Sequence, residues 1–203
     1  WIGLPEDREA SVAPTLIPEV SPLVDASSAP KEPSIADFAR NNLLPFLATI
    51  NERESRAAEI PAGGVIGNAR SLAGMYAPLS LDGSHRGVRL LRKEALAAMA
   101  YSRSACDVDA TLGIPTCFTL GFAKSWGSGA DCGPNGFAIG KDAFGHPGMG
   151  GSIGFADPSC GLAFAYIMNR LNGHPSLDDR AKSLIDAAYR AVGFQSRDRG
   201  FWA

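Results

Sequence analysis

The sequence predicts an α+β fold in which helices come first, an antiparallel run of strands follows, and one helix closes the chain. Apolar residues recur at three- and four-residue spacing between residues 34 and 79, as in helices with one buried face. Turn-forming residues separate short apolar segments between residues 102 and 169, as in antiparallel strands. A capped amphipathic segment lies near the C-terminus. We therefore expect an antiparallel sheet flanked by helices.

Composition excludes several classes of function. The 203 residues are 45% hydrophobic and 20% charged, with a net charge of -2, so we expect a globular core and no nucleic-acid partner. No apolar run approaches the ~20 residues of a membrane span. The three histidines and four cysteines lack metal-ligand spacing, so neither a metal nor another cofactor is expected. A disulfide between Cys106 and Cys117 and free thiols both remain open.

The beginning of the chain suggests a fragment or a processed polypeptide. It starts at Trp1 rather than at methionine and shows no signal-peptide pattern. Residues 1–33 contain six prolines and form an irregular arm, which Val12 and Leu16-Ile17 are expected to anchor. Residues 34–203 then form a single domain. The sequence does not decide the compartment, although we favour the cytoplasm.

The predicted helices begin where polar caps precede apolar periodicity. One starts at Ser34 and is kinked or ended by Pro45, a second is capped by Asn68, and a third covers 94–101. A fourth is capped by Ser176. The predicted buried faces consist of Ile35, Phe38, Ala39, Leu43, Phe46, Leu47 and Ile50; Leu72, Met75, Tyr76 and Leu79; Leu96, Met99 and Ala100; and Leu177, Ala181, Leu184, Ile185, Ala188 and Val192.

The predicted strands follow Asp82-Gly83, a turn signal. They cover 88–91, 117–123, 137–139, 152–156 and 161–169. The last is apolar throughout 162–168, so we expect both of its faces to be covered. Residues 144–157 (FGHPGMGGSIGFAD) place five glycines around one histidine directly before this region, which is typical of an opened sheet edge.

Three segments resemble the serine β-lactamase-like hydrolases, specifically their esterase-like and penicillin-binding-protein-like branch. Residues 1–5 (WIGLP) resemble the phrase that follows the family's middle catalytic motif. Residues 61–73 (PAGGVIGNARSLA) resemble its glycine loop and following helix, and residues 144–158 its third catalytic motif and strand. Because order and spacing agree along nearly the whole chain, the resemblance implies the C-terminal half of this fold. The missing N-terminal half is then an expected partner.

The resemblance implies a serine hydrolase that forms an acyl-enzyme. His146-Pro147-Gly148 stands where the family has Lys-Thr-Gly, and the backbone N–H of Met149 is the implied oxyanion donor. Histidine in place of lysine resembles esterase-like members and favours a small ester or amide substrate, with His146 hydrogen-bonded to the substrate or to the missing tyrosine. The implied catalytic residues are His146 and Met149, and the implied substrate-binding residues are Gly148, Gly150, Phe144 and Trp126.

The first two family motifs cannot be placed in this chain. Ser28-Ala-Pro-Lys31 has the nucleophile spacing, but Pro30 disfavours the required helical turn. Residues 166–169 (YIMN) have the wrong spacing for the middle motif and lie in an apolar strand. The resemblance therefore implies an enzyme only as a full-length protein. A non-catalytic module that binds a ligand or partner is the alternative, and association with a second copy is left open.

Each site residue also has a purely structural interpretation. His146 could be an ordinary loop histidine, and Gly148, Gly150 and Gly151 could serve only a bulge in the edge strand. Trp126 and Phe144 could cover the core rather than line a pocket. Gly63-Gly64 favours a turn, and Ser152 lacks an identifiable base.

Overall fold

The computed structural model describes residues 1–18, 34–125, 139–172, 177–197 and 201–202. Within these ranges helices come first, a strand-rich region follows and a helix at Asp179–Ala191 comes after it, as predicted. The prediction that this helix closes the chain is wrong, because a pair of short strands at Ser196–Arg197 and Phe201–Trp202 follows it. The helices are α1 (Ile35–Thr49), α2 (Arg53–Ala57), α3 (Ala69–Tyr76), α4 (Lys93–Ala100) and α5 (Asp179–Ala191), with 3-10 turns at Glu6–Ser11 and Ala77–Ser80. The strands are β1 (Ser84–His85), β2 (Val88–Arg89), β3 (Ser104–Cys106), β4 (Thr116–Phe118), β5 (Phe144–Pro147), β6 (Ile153–Asp157), β7 (Leu162–Tyr166), β8 (Ser196–Arg197) and β9 (Phe201–Trp202).

The central sheet is antiparallel, in the order β5-β6-β7. Ala123 joins it to the β3-β4 pair by bridging Phe118 on one side and Gly145 of β5 on the other. The prediction of one continuous strand over 117–123 is therefore wrong. The strand is broken after β4 by a turn at Gly121, whose φ of 93° is accessible to glycine.

Two apolar clusters cover the two faces of the sheet. On the α5 face, Ile153 and Phe155 of β6 pack with residues of α5. On the α3 face, Phe144 of β5 and Ala156 of β6 pack with Tyr76. This division follows from the alternation of side chains along β6. His146 lies two residues after Phe144 on β5, and its cross-strand partner Gly154 lies two residues before Ala156 on β6. Because alternate residues of a strand share a face, His146 and Gly154 also lie on the α3 face.

Helix α1 begins where the sequence predicts. Ser34 accepts a hydrogen bond from the Asp37 backbone N–H, while the Asp37 carboxylate accepts from the Ser34 N–H, which forms a capping box. The helix continues past Pro45 to Thr49 rather than ending there. Leu47 is buried, but Ile35 and Phe38 are each 62% exposed, so the predicted buried face is wrong at its N-terminal end. The side chains of Ala39 and Leu43 lie outside the description.

Helix α3 is capped by Asn68 as predicted, because the Asn68 side-chain oxygen accepts a 2.9 Å hydrogen bond from the Ser71 N–H. Its predicted face is correct for Tyr76, which is buried, and for Leu72, which packs against the core. It is wrong for Met75, which is 64% exposed. The sheet meets α3 through Leu72 and Tyr76, and Met75 lies away from that contact.

Helix α5 is capped by Asp178, whose carboxylate accepts from the Ala181 N–H at 3.2 Å. The predicted cap, Ser176, lies outside the described residues. The buried stripe has a four-residue spacing and is formed by Leu177, Ala181, Ile185 and Tyr189. Leu184 and Val192 are instead 47% and 44% exposed, because they fall beside this stripe.

Strand β7 is shorter than predicted and less completely covered. All five of its residues are half-buried. Phe164 packs towards the α5 cluster and Ala163 towards the α3 cluster, so helices reach both faces without enclosing them. The predicted strand at 137–139 lies mostly outside the described residues, and Ile139 is not in a strand.

The arm is attached by backbone pairing and by one buried apolar side chain, Leu4, which is 3% exposed. Leu16 forms a parallel bridge to Arg170, with hydrogen bonds of 2.7 Å to the Asn169 carbonyl and 2.9 Å from the Leu171 N–H. Trp1 pairs with Ile66 through both its amino group and its carbonyl. Anchoring at Leu16 is thus confirmed, although its side chain is 48% exposed.

Cys106, Cys117 and Cys160 are free thiols. No helix in the described ranges is both long enough and apolar enough to cross a membrane. The same ranges contain no group of three or more His, Cys, Asp or Glu side chains placed to hold a metal ion.

Candidate functional site

The glycine-rich segment forms the turn between β5 and β6. The Gly148 N–H donates to the Ser152 carbonyl at 2.6 Å, and the Gly151 N–H donates to the Gly148 carbonyl at 3.1 Å. Gly150 and Gly151 have φ values of 85° and 110°, which other residues adopt only with strain. The segment is therefore glycine-rich because its turn requires positive φ at two successive positions.

This turn is fixed to the segment that follows β7. The Asn172 N–H donates to the Gly150 carbonyl at 3.0 Å. Gly150 is buried against Leu171, and a Cβ at position 150 would collide with that side chain. Leu171 in turn pairs with Leu16 of the arm. The position of the turn is thus set by two other parts of the chain, the segment after β7 and the arm.

His146 is the exposed member of an otherwise buried region. It lies on the α3 face of β5, between buried Gly145 and half-buried Pro147. Its Nδ1 lies 2.7 Å from the Pro147 carbonyl oxygen, and because a carbonyl can only accept, Nδ1 carries the proton and donates. In the neutral ring Nε2 is then left with a lone pair that can accept a hydrogen bond.

The outer edge of β5 is paired at one residue. Gly145 exchanges two hydrogen bonds with Ala123, at 2.7 and 3.0 Å. Beyond Gly145, the described residues form no further backbone pairing with this edge. The Met149 N–H also has no hydrogen bond within the described ranges. An open edge with an unused donor can receive an extended substrate or a developing oxyanion.

An aromatic group lies beside His146 on the α3 face. Phe122 makes edge-to-face contacts with Tyr76, at 6.0 Å between ring centroids, and with Phe144, at 5.3 Å. Phe144 is completely buried, so its described position is that of a core residue. Burial raises the pKa of Tyr76 to about 12, and the backbone N–H of His146 acts on the phenol in the opposite direction.

Four of the six predicted site residues lie together in or next to the turn between β5 and β6: His146, Gly148, Met149 and Gly150. Phe144 lies beneath them in the core, and Trp126 lies outside the described residues, as does Ser28-Ala-Pro-Lys31. None of the six roles is tested by these positions alone, and all remain predictions. Ser152 accepts the turn's hydrogen bond through its carbonyl, which gives it a structural part.

Sequence reasoning missed a buried polar network on the opposite face. Asp157 is completely buried, and its carboxylate accepts from the Tyr189 hydroxyl at 2.7 Å and from the Ser159 N–H and hydroxyl at 3.0 and 2.5 Å. Burial raises the pKa of Tyr189, and nearby Asp157 raises it further. The sequence held one signal for this network: Asp157 follows an apolar strand directly, and a carboxylate that is buried there requires hydrogen-bond partners.

The sequence profile of the Beta-lactamase family matches residues 4–189 of the chain. A similar protein is "Esterase/beta-lactamase LipL" of Mycobacterium tuberculosis (strain ATCC 25618 / H37Rv), which is 35% identical over 147 residues. That match covers 71% of this chain and 32% of LipL. The chain therefore spans about a third of the length of this relative.

Solved structures agree with the sequence match. A family VIII carboxylesterase superposes with a TM-score of 0.71 at 33% identity, over 93% of this chain and 46% of the esterase. EstA from Arthrobacter nitroguajacolicus Rue61a gives 0.72 at 27%, over 95% and 49%. A penicillin-binding protein homologue from Caulobacter crescentus gives 0.70 at 27%, over 94% and 48%.

The chain spans just under half of each of these structures, which fits the expectation that it is one half of the fold. The α+β class and the resemblance of the sequence to esterase-like and penicillin-binding-protein-like members are both confirmed. The chain belongs to the β-lactamase family and has the α+β fold of its carboxylesterase and penicillin-binding-protein-like members.

Proposed function

We propose that the complete protein is a serine hydrolase that cleaves a small ester or amide through an acyl-enzyme. In this proposal the chain supplies the third-motif strand β5 and one wall of the site. The observation that carries it is the open edge beyond Gly145, where exposed His146 and the unused Met149 N–H occur together. The likeness to esterases supports the reaction class.

The proposed division of labour follows from the chemistry of acyl transfer. A serine outside this chain attacks the substrate carbonyl, and its proton passes to a neighbouring base. The Met149 N–H and the serine's own N–H stabilise the tetrahedral oxyanion. The intermediate then expels the alcohol or amine, and water hydrolyses the acyl-enzyme. His146 Nε2 accepts a hydrogen bond from the substrate or from a hydroxyl supplied by the other half.

We also propose that the other half of the fold covers apolar side chains that this chain leaves exposed. Trp1, Ile35, Val65 and Met75 are each between 62% and 64% exposed. Exposed apolar surface of this kind marks an interaction site in many proteins. Co-expression with the remainder of the open reading frame should keep the chain in solution and recover a stable complex. Recovery of the isolated chain as a stable monomer would contradict the idea.

The enzyme proposal is tested by a serine-directed fluorophosphonate probe and by hydrolysis of a p-nitrophenyl ester. The complete protein should be labelled and active, and a fragment containing only these 203 residues should be unlabelled. Absence of both labelling and turnover in the complete protein would contradict the proposal.

A second candidate is a non-catalytic module that binds a ligand or partner through the same edge. Ser28-Ala-Pro-Lys31 is the one match in this sequence to the spacing of the family's nucleophile motif. Pro30 disfavours the helical turn that this motif requires, so the chain has no suitable nucleophile of its own, which favours this candidate. A complete protein that binds an ester without turning it over, and that resists the probe, would support this candidate.

A further inference from the structure

The segment that follows β7 holds one side of the turn between β5 and β6. The Asn172 N–H donates to the Gly150 carbonyl at 3.0 Å, and the Leu171 side chain occupies the space that a Cβ on Gly150 would need. Both residues follow directly after Arg170 in the chain. The placement of the turn, and of Met149 within it, therefore depends on where the backbone from Arg170 onwards lies.

The guanidinium of Arg180 joins this segment to the start of α5. Its Nη1 and Nη2 each donate to the Arg170 carbonyl at 3.1 Å. Its Nε and Nη2 also contact Oδ2 of Asp178, at 2.6 and 2.5 Å. A planar guanidinium can hold two acceptors at once because its N–H donors point in fixed directions, whereas a lysine ammonium is a single point charge. Arg180 therefore ties the backbone of the segment to the cap of α5.

The carboxylate of Asp178 lies against the turn from another side. A Cβ placed on Gly151 would lie 3.3 Å from Cγ and 3.4 Å from Oδ1 of Asp178, and 3.2 Å from the side-chain nitrogen of Asn172. Gly151 is buried there, with a φ of 110°. The turn is thus enclosed between residues 171–172 and the cap of α5, and these are the two parts that Arg180 ties together.

We propose that Arg180 is a positioning residue for this turn: its guanidinium fixes the two walls between which Gly150 and Gly151 lie. The Met149 N–H has no hydrogen bond within the described residues, so its direction depends on how the turn is held. A donor that stabilises a developing oxyanion is effective only when it points at that oxygen. The kinetic consequence rests on the proposed function, whereas the effect on the turn does not.

Arg180→Gln in the complete protein tests this proposal, because glutamine removes the charge and the fork but keeps much of the side chain. Deuterium exchange measured by mass spectrometry should become faster in peptides that cover 145–153 and 169–172. Ester hydrolysis should show an about fivefold fall in kcat with KM unchanged, because the oxyanion forms only in the transition state. A fully buried charged hydrogen bond would give a larger fall, but 42% of the Arg180 side chain is exposed.

Arg89→Gln is the matched control. Arg89 also contacts a carboxylate, that of Asp82, and two backbone carbonyls, but it lies in the β1-β2 hairpin. This variant should leave kcat and the exchange of 145–153 unchanged. Arg180→Lys keeps the charge without the fork, so it should resemble Arg180→Gln rather than the wild type.

The proposal is overturned if Arg180→Gln leaves exchange in 145–153 unchanged, or speeds it equally throughout the sheet as a general loss of stability would. An unchanged kcat in an active Arg180→Gln protein would also overturn it, as would wild-type exchange and kinetics in Arg180→Lys. If the wild-type protein hydrolyses no ester, the proposed function fails, while the exchange of 145–153 still decides the role of Arg180.

Discussion

The Tyr189 hydroxyl donates a 2.7 Å hydrogen bond to Oδ2 of Asp157 and accepts one of 2.8 Å from the Gly140 N–H. A Cβ at position 140 would collide with the Asp157 carboxylate, so glycine is required there. The relay ties α5 to the end of β6 and to the chain that leads into β5. It therefore fixes the back of the hairpin whose front carries the proposed site.

Tyr189→Phe should lower the free energy of unfolding, because it leaves the Gly140 N–H and a carboxylate oxygen without partners. We expect a loss of ~1–3 kcal/mol, the cost of unsatisfied buried polar groups. Urea denaturation measures it. Tyr101→Phe is the matched control, because Tyr101 is 68% exposed and should change stability by less than ~0.5 kcal/mol. Equal effects of the two substitutions would contradict the relay's importance.

Gly145→Ala should destabilise the fold strongly, because the new methyl group would collide with the Gly154 carbonyl in the paired strand. Gly74→Ala, in α3, makes a suitable comparison since a Cβ there has nothing within 4 Å. That change should stabilise the protein by up to ~1 kcal/mol through helix propensity. The midpoint temperature of thermal unfolding should thus fall for Gly145→Ala and rise for Gly74→Ala. A shift of both midpoints in the same direction would contradict the close approach of β5 and β6.

Asn68→Ala should cost ~1 kcal/mol of stability, because it removes the side-chain cap of α3. Arg70→Ala in the same helix changes an exposed side chain and serves as the control. Chemical denaturation of both variants gives the comparison. A loss no larger than that of Arg70→Ala would show that Asn68 does not cap the helix in solution.

Asp178 should make stability depend on acid pH. Burial alone would raise the pKa of its carboxyl, but hydrogen bonds from Arg180 and from the Ala181 N–H lower it on balance. A carboxyl with a depressed native pKa stabilises the fold above its unfolded value of about 3.9 and loses that contribution as the pH falls through the native value. Asp178→Asn should therefore lower the free energy of unfolding at neutral pH. It should also make the further loss of stability below about pH 4 smaller than in the wild type.

Urea titrations across that range, with Asp179→Asn as the neighbouring control, measure the effect. Asp179→Asn should retain the wild-type pH profile, because Asp178 supplies the capping oxygen. An unaltered profile in Asp178→Asn would contradict the assignment.

The sequence predicted the parts of the fold that depend on local chemistry. The caps at Ser34 and Asn68 were correct because short polar side chains before apolar periodicity have one main structural use. The glycines at 148, 150 and 151 were predicted to open the sheet edge or to form a bulge, and the structure shows instead a turn with positive φ at 150 and 151. The α+β class followed from the order of helical and strand patterns, and the family followed from the resemblance of three segments, among them the one around His146.

The sequence predicted tertiary packing less well than local structure. Periodicity placed Ile35, Met75 and Leu184 on buried faces, yet which faces are covered depends on neighbours that the local pattern does not identify. The packing of Tyr76 over Gly154, the cross-strand partner of His146, joins segments that are far apart in the sequence. The relay through Tyr189 joins three distant segments and has no sequence motif.

The most direct test of the proposed site is ester hydrolysis by the complete protein carrying His146→Ala, with His85→Ala as the matched control. His85 lies in the β1-β2 hairpin, outside the central sheet. The proposal predicts a roughly tenfold or greater fall in kcat/KM for His146→Ala, the effect of losing one strong hydrogen bond at the site, and an unchanged value for His85→Ala. An active protein whose kcat/KM is the same with and without His146 would contradict the assignment of β5 as the catalytic strand.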